Sequence, residues 1–257
     1  MILQSHLPLA PWMDPRTARL PGVLPVEGQD WLVQDDAFAA QMALRDQLIR
    51  DHPGAVLGQR PEGLTAAEEL FDLILARLTR DRGYAVGADH VTRPDGVSVP
   101  LDRAAPLKTL GRLVQEDLCL MEKQGAEHVL TGACLCFPAS WALSEKLGRP
   151  LIGIHRTVPV YQADLARRVQ RMFDVIRVDQ PLWRMNALVY ANPALHQPAY
   201  EGAPRTDRRG GQFVRAERQT LLRLPRTGAV LFAIHTYVVR LSSLTEAELA
   251  GLELARL

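Results

Sequence analysis

Cysteine is scarce in this chain, and what there is excludes a disulfide scaffold. The three cysteines among 257 residues (Cys119, Cys134 and Cys136) are an odd number, and two of them lie one residue apart, which is no framework of paired bridges. No CxxC pair or His-x-x-x-His spacing accompanies them, so structural zinc is not expected. Alternation along a strand would put Cys134 and Cys136 on one face, where small buried apolar side chains are the usual occupants. An excess of charge is also missing. Basic residues number 30 and acidic ones 29, a formal net charge of +1, which supplies no field for nucleic acid or an anionic membrane surface. No stretch approaches the roughly 20 apolar residues that span a bilayer. The start, MILQSHLPLAPWMDP, has no basic segment leading into a long apolar run, so it does not read as a secretory signal. Together these absences predict a cytoplasmic protein with reduced thiols and with neither nucleic acid nor membrane among its partners.

Hydrophobic residues make up 47% of the chain and charged ones 23%. That is the balance of a soluble globular protein, long enough to bury a full core. Residues 1–30 are proline-rich and read as an irregular arm. Asp35-Asp36 opens a helical pattern through Phe38, Met42, Leu44, Leu48 and Ile49 that stops near His52-Pro53-Gly54. A second pattern begins at Leu64-Thr65, where Thr65 and Glu68 have capping-box spacing. Its stripe is Leu70, Phe71, Leu73, Ile74 and Leu78, and Arg82-Gly83 ends it. Residues 84–106 read as loop with short strands, Thr109 to Gly125 as helix, and His128 to Phe137 as a buried strand. Ser140 to Leu147 reads as a short helix closed by Gly148, and Tyr161 to Arg177 as a helix with a basic stripe. Residues 181–192 fit a strand. Gln212 to Leu224 and Ala229 to Leu241 form a hairpin around Pro225-Arg226-Thr227-Gly228, and Ser243 leads into a C-terminal helix. With no repeat and no long linker, helices followed by an antiparallel sheet predict one α+β domain over residues 1–257.

Two features carry chemistry. In the block from Leu130 to Tyr161, His155 ends the apolar run Leu151-Ile152-Gly153-Ile154, a place where ordinary packing favours an aliphatic side chain. In the hairpin, setting Leu224 opposite Ala229 puts Ala216, Arg218, Thr220, Leu222, Leu231, Ala233, His235 and Tyr237 on one face. Arg215, Glu217, Gln219, Leu221, Phe232, Ile234 and Thr236 then fall on the other. On the first face the small Ala216 and Ala233 leave room beside Arg218, His235 and Tyr237, groups suited to polarising a bound oxygen species. A polar sheet end reaching solvent is the plainer alternative. Arginine is concentrated from Arg205 through Arg208, Arg209, Arg215, Arg218 and Arg223 to Arg226, which serves either an anionic ligand or a solvated edge.

These motifs recur in a recognisable order: Gln115-Glu116-Asp117-Leu118, Cys136-Phe137-Pro138 with Trp141, Glu145-Lys146-Leu147-Gly148, and Ile154-His155 with Val158-Pro159. Trp183-Arg184-Met185-Asn186 follows, then Glu217-Arg218-Gln219-Thr220-Leu221 with Leu224-Pro225, and Phe232 to Tyr237. Over roughly residues 20–245 that order resembles the alpha subunit of the haem-dependent oxidative N-demethylases. The resemblance implies a PAS-like antiparallel sheet with helices packed on one face and haem b between them, after an N-terminal helical segment. It implies oxidation of a small methylated amine such as dimethylamine by O2, with release of formaldehyde. Electrons would come from NADPH through FMN and 2Fe-2S centres on a separate reductase or beta subunit, since three cysteines are too few for a cluster here. Tetrahydrofolate is associated with such systems as formaldehyde acceptor. The chain departs from the pattern at Ala187, where an aromatic is expected, and at His235, where an arginine-like residue is expected.

Within that resemblance, His155 is the expected axial ligand of the iron. His235 is the rival and His196 a weaker one, and a buried imidazole bonded to backbone is the plain alternative. Arg218 and Tyr237 are the expected oxygen-facing catalytic pair. Arg184, or one of the 205–215 arginines, would pair with the haem propionates, and Trp141 would wall the cofactor. Glu217, Glu116, Asp117 and His235 are the candidates for holding the substrate, although acids inside a helix are usually its solvated face. A non-catalytic haem or gas-sensing PAS-like domain is the alternative function, and a scaffold that has lost haem is a third.

Overall fold

The computed structural model describes residues 1–18, 22–27, 31–156, 161, 163–203 and 210–255. Its helices are α1 (Pro15–Ala18), α2 (Phe38–Asp51), α3 (Pro53–Val56), α4 (Leu64–Leu78), α5 (Pro106–Gly111), α6 (Leu143–Lys146), α7 (Leu151–Ile154), α8 (Ala163–Val175) and α9 (Glu246–Ala255). Its strands are β1 (Leu24–Pro25), β2 (Leu57–Gln59), β3 (Ala85–Val86), β4 (His90–Thr92), β5 (Ser98–Pro100), β6 (Asp117–Gln124), β7 (Glu127–Cys134), β8 (Leu182–Tyr190), β9 (Phe213–Arg223) and β10 (Val230–Arg240). The motif Ile154-His155 with Val158-Pro159 is divided by a boundary: residues 157–160, like 204–209 with three of the arginines, lie outside the described residues.

The predicted α+β fold is present. Strands β3-β4-β5 make a small sheet, and the remaining seven form an antiparallel sheet in the order β1-β8-β9-β10-β6-β7-β2. Its five central strands arise from a hairpin (β6, β7), a helical crossover (α6 to α8) and a meander (β8 to β10) whose last strand returns beside β6. Counted in chain order, those five lie 2-1-5-4-3, the PAS-like arrangement. Helices cover both faces. Leu118, Leu120, Leu222 and Leu231 pack under Leu48 and Ile49 of α2 and Leu70, Phe71 and Ile74 of α4. Cys119, Met121, Leu221 and Ile234 point the other way, against Leu151 of the crossover and Phe173 of α8.

The β9–β10 hairpin has the register predicted for it, with Leu222 opposite Leu231, Arg218 opposite His235 and Ala216 opposite Tyr237. Gly228 at φ 72° takes the left-handed turn position that a side chain would resist, and Leu224 N–H donates to Ala229 O at 2.8 Å to close the loop.

Three readings from the sequence are corrected. The segment from Thr109 to Gly125 is not one helix: α5 ends at Gly111, and Asp117 onward is β6. Leu118-Cys119-Leu120-Met121 is apolar on both faces because both faces of a central strand are buried here, and such a run has no period that separates strand from helix. The capping box is not formed. Helix α4 starts at Leu64 after Gly63 with no side-chain cap, and a Cβ at Gly63 would come within 2.8 Å of Thr131, so docking on β7 sets the start. The same helix ends at Leu78, short of Arg82-Gly83. Helix α2 begins close to prediction, with Asp35 accepting from Phe38 N (3.1 Å) and Ala37 N (3.0 Å) just ahead of it.

Candidate functional site

The crossover face of the sheet carries an unusual set of side chains for the middle of a domain. Reading across β8, β9 and β10, the rows are Arg184–Gln219–Ile234, Asn186–Glu217–Thr236 and Leu188–Arg215–Val238. Arg215 is buried and gives its guanidinium to backbone carbonyls, at 2.9 Å to Leu195 and 2.6 Å to Phe137. This pins two loops as a roof over its end of the face. Past that roof Glu217, Gln219, Arg184 and Asn186 are only half-buried although β9 is an interior strand. Arg184 donates to Gln219 Oε1 at 2.7 Å and Gln219 donates to Glu217 at 3.1 Å. Burial lowers the Arg184 pKa and the charge of Glu217 opposes that shift. Thr236 Oγ1 and Arg215 Nε, both buried, have no hydrogen-bond partner among the described residues, although Arg215 Nε lies 3.5 Å from Glu217 Oε1 as an ion pair.

His155 lies on the crossover that packs over this side of the sheet. It caps α7, its ring stacks on Tyr161 with centroids 4.2 Å apart and planes at 16°, and its Nδ1 lies 2.9 Å from Leu151 O. A carbonyl only accepts, so Nδ1 carries the proton and Nε2 keeps its lone pair, the tautomer that a metal-binding imidazole needs. Burial lowers its pKa, outweighing the Leu151 hydrogen bond, which keeps the ring neutral. Between α7 and α8 lies a cavity of about 350 Å³ lined by Leu151, Ile152, Tyr161, Ala166, Gln170 and Arg171. Trp141 packs half-buried against the same core. The residue after His155, Arg156, is tied together with Lys146 (2.8 Å) and Arg149 (3.1 Å) to Glu201, whose pKa is held down at about 2 by Lys146 and Arg156.

Two other histidines bear on the choice of ligand. His128 is buried, and Gln170 brackets it by accepting from its backbone N–H (3.2 Å) and donating to its Nδ1 (2.8 Å). The proton is thereby placed on Nε2, which has no lone pair to offer. His196 Nδ1 donates to Cys136 O at 2.8 Å, so its Nε2 is left as an acceptor in the same manner as that of His155.

The expected partners of His155 are elsewhere. Arg218, His235 and Tyr237 share a face as predicted, but it is the opposite face of the sheet from Leu221, Ile234 and the crossover. The room expected above Ala216 and Ala233 is filled. Tyr237 and Ala216 pack with Leu7, Leu244 and Leu252, and Arg218 lies 5.3 Å from the Trp183 ring. His235 is held between Asp35 (2.9 Å) and Glu116 (3.2 Å). Asp117 is not on a solvated helix face. It is buried, pairs with Arg45 at 2.7 Å and accepts from Cys136 N (2.7 Å) and Phe137 N (2.8 Å). The structure therefore groups His155, Trp141, Arg184 and Glu217 on one side of the sheet and Arg218, His235, Tyr237 and Glu116 on the other. Asn186, Gln219 and Thr236 join the first group. The hairpin register already put Gln219 and Thr236 beside Glu217, but nothing in the sequence said which face the crossover would cover.

The strand order makes this a PAS-like α+β protein, with half-buried polar groups on the sheet face that its helical crossover covers. The model of one family, haem-dependent oxidative N-demethylase, alpha subunit-like, matches residues 22–257. The chain belongs to that family.

Proposed function

We propose that this chain binds haem b against the crossover face of its sheet, with His155 as axial ligand, and oxidatively demethylates a small methylated amine such as dimethylamine. The net reaction takes amine, O2, two electrons and two protons to the demethylated amine, formaldehyde and water. NADPH would supply the electrons through FMN and 2Fe-2S centres of a partner reductase subunit, and tetrahydrofolate would take up the formaldehyde. The observation that carries the reading is the state of His155: Nδ1–H committed to Leu151 O, Nε2 without a hydrogen-bond partner among the described residues, and the ring kept neutral by burial.

Haem, when bound, supplies the redox chemistry that couples reduction of dioxygen to oxidation of an N-methyl group. The side chains do the rest. Arg184, steadied by Gln219, offers a half-buried cation for a propionate. Trp141 supplies an apolar wall. A secondary amine is protonated at neutral pH and needs a counter-charge, which Glu217 provides on the same face. Arg218 and Tyr237, on the far face, have no contact with the ligand in this reading.

The test begins with the absorption spectrum of protein expressed with haem supply, with and without dithionite. A Soret band that shifts on reduction is expected, and its absence would refute the proposal. His155→Ala is expected to lose haem or gain a spectrum restored by added imidazole, while His196→Ala keeps the native spectrum; the reverse would move the ligand to His196. With a donor reductase, dimethylamine is expected to drive NADPH oxidation and equimolar formaldehyde. Haem that binds gases without turnover would select the sensing alternative.

A further inference from the structure

A pair of sulfurs lies in the core on the side of the sheet away from the crossover. Cys134 ends β7 and Cys136 follows two residues on, and both are fully buried. Both belong to the core under α2 and α4, whereas Leu135 between them and Cys119 of β6 belong to the core on the crossover side. The two sulfurs are 3.9 Å apart, and Cys119, facing the other way, does not compete for either. Arg45 of α2, itself without exposure, brings Nη2 to 3.6 Å from Cys134 Sγ, while its Nη1 and Nε donate to Asp117 and Gly111 O. A thiol is a weak acceptor, and a guanidinium beside it favours the thiolate, the reactive form. The hydrogen bond from Cys136 and the charge of Arg45 lower the Cys134 pKa against the burial that would raise it, and the same shared hydrogen bond pushes that of Cys136 well up. Cys134 is therefore the nucleophile of the pair, and Cys136 carries the proton.

To reach the roughly 2.05 Å of a disulfide, the sulfurs must close by about 1.9 Å. Alternate residues of a strand have Cα atoms about 6.6 Å apart, at the wide end of what a disulfide spans, so such a bridge is one that a dithiol reopens. The carbonyls beside the pair are all in use. Cys136 O accepts from His196 Nδ1 (2.8 Å), Phe137 O from Arg215 Nη2 (2.6 Å) and Pro138 O from Gln197 N (3.1 Å). Residues 136–138 thus anchor the roof over the polar end of the crossover face, and drawing Cys136 toward Cys134 pulls on all three anchors.

We propose that Cys134 and Cys136 are a reversible redox site, in which Cys134 attacks hydrogen peroxide, Cys136 closes a disulfide, and the roof over the crossover face slackens in response. The Cys134 thiolate displaces hydroxide from the peroxide, breaking the O–O bond, and becomes a sulfenic acid. The Cys136 sulfur then attacks that of Cys134, and the hydroxyl leaves as water with the Cys136 proton. In sum, two thiols and one peroxide give one disulfide and two waters. Neither sulfur meets solvent, so the reaction proceeds through local opening at the end of β7, which admits a molecule as small as peroxide. Haem takes no part in it.

The full chain, prepared with and without haem supply, is exposed to submillimolar hydrogen peroxide, alkylated under denaturing conditions and digested with trypsin. The peptide from Gln124 to Lys146 holds both cysteines of the pair and no methionine. It is expected to become two hydrogens lighter and refractory to alkylation, and to regain both thiols after dithiothreitol. Cys136→Ala is expected to stop at a sulfenic acid on Cys134 that dimedone captures, whereas Cys134→Ala leaves Cys136 unoxidised. Alanine suits both buried positions, and circular dichroism confirms that each variant folds. Amide exchange at Gln197 is expected to quicken roughly tenfold in the oxidised wild type and to stay unchanged in peroxide-treated Cys134→Ala. A wild-type peptide of unchanged mass, oxygen added to the sulfurs without a bridge, or a bridge that leaves Gln197 exchange as it was would each overturn the proposal. Equal oxidation of the single cysteine in the two variants would overturn it too. A wild type that binds no haem would refute the crossover-face reading and leave these masses unaffected.

Discussion

Deprotonation of His235 between pH 6.5 and pH 8.5 is expected to cost the protein about 2 kcal/mol of stability. The ring is 1% exposed, with Asp35 2.9 Å from one nitrogen and Glu116 3.2 Å from the other. Burial alone would lower its pKa, but the hydrogen bonds and charges of the two carboxylates raise it to about 9. In the unfolded chain the value is about 6.5. A base whose pKa rises on folding contributes its full stabilisation below the unfolded value and loses it as pH climbs through the folded one. At about 1.4 kcal/mol per unit, the full contribution is about 3 kcal/mol, of which about 1 is left at pH 8.5. Asp35 acts at the other end. Burial would raise its pKa, but the hydrogen bond and charge of His235 lower it, so its contribution is present above about pH 4 and fades in acid. His128 and His155 both have pKa values lowered, chiefly by burial, so they are neutral in the folded state and titrate below this window. Urea denaturation followed by circular dichroism at half-unit pH steps reads the slope directly. His235→Gln is expected to flatten that slope and, by leaving two buried acids without their cation, to cost about 3–5 kcal/mol at pH 6.5. A wild-type curve that is level or rising from pH 6.5 to 8.5 would show that the ring is not protonated in the native state.

Two further substitutions test the core behind the site. Arg45→Met removes the buried partner of Asp117 at 2.7 Å while that carboxylate still holds Cys136 N and Phe137 N, and denaturant titration is expected to show a loss of about 3–5 kcal/mol; a loss below about 1 would mean that the pair is not buried as described. Gly111→Ala places a Cβ 2.2 Å from Cys134 Sγ and is expected to cost about 1–3 kcal/mol, most of it recovered in the double variant with Cys134→Ala.

How far the sequence could be read depended on how far away each residue's partners are. The β9–β10 register was legible because its determinants are adjacent: Gly228 allows the turn, and alternate residues on either side fall into step. Strand β6 was not. Gln115, Glu116 and Asp117 resemble the polar side of an amphipathic helix, yet all three are buried. The side chains that pair with theirs come from 72 to 119 residues away, as in Asp117 with Arg45, Gln115 with Asp35 and Glu116 with His235. A buried acid and a solvated acid differ only in such remote partners, so local pattern cannot separate them. The same limit applied to the site. Parity gave the members of each face, but which face meets the crossover depends on how residues 135–181 return to the sheet.

The two faces are nevertheless not independent. A strand slipped by one residue exchanges every side chain between them. If β10 slipped against β9, His235 would leave Asp35 and Glu116, stranding two buried acids, and Tyr237 would leave the pocket formed with Leu7 and Leu252. That penalty, several kcal/mol on the scale of broken buried ion pairs, opposes any such slip. The alignment that it protects is also the one that sets Asn186, Glu217 and Thr236 in a single row on the crossover face. That face has buried polar groups of its own in Thr236 and Arg215, and the ion network on the opposite face adds to their hold on the register. His235 therefore positions Glu217 from the opposite side of the sheet, through the backbone pairing the two strands share.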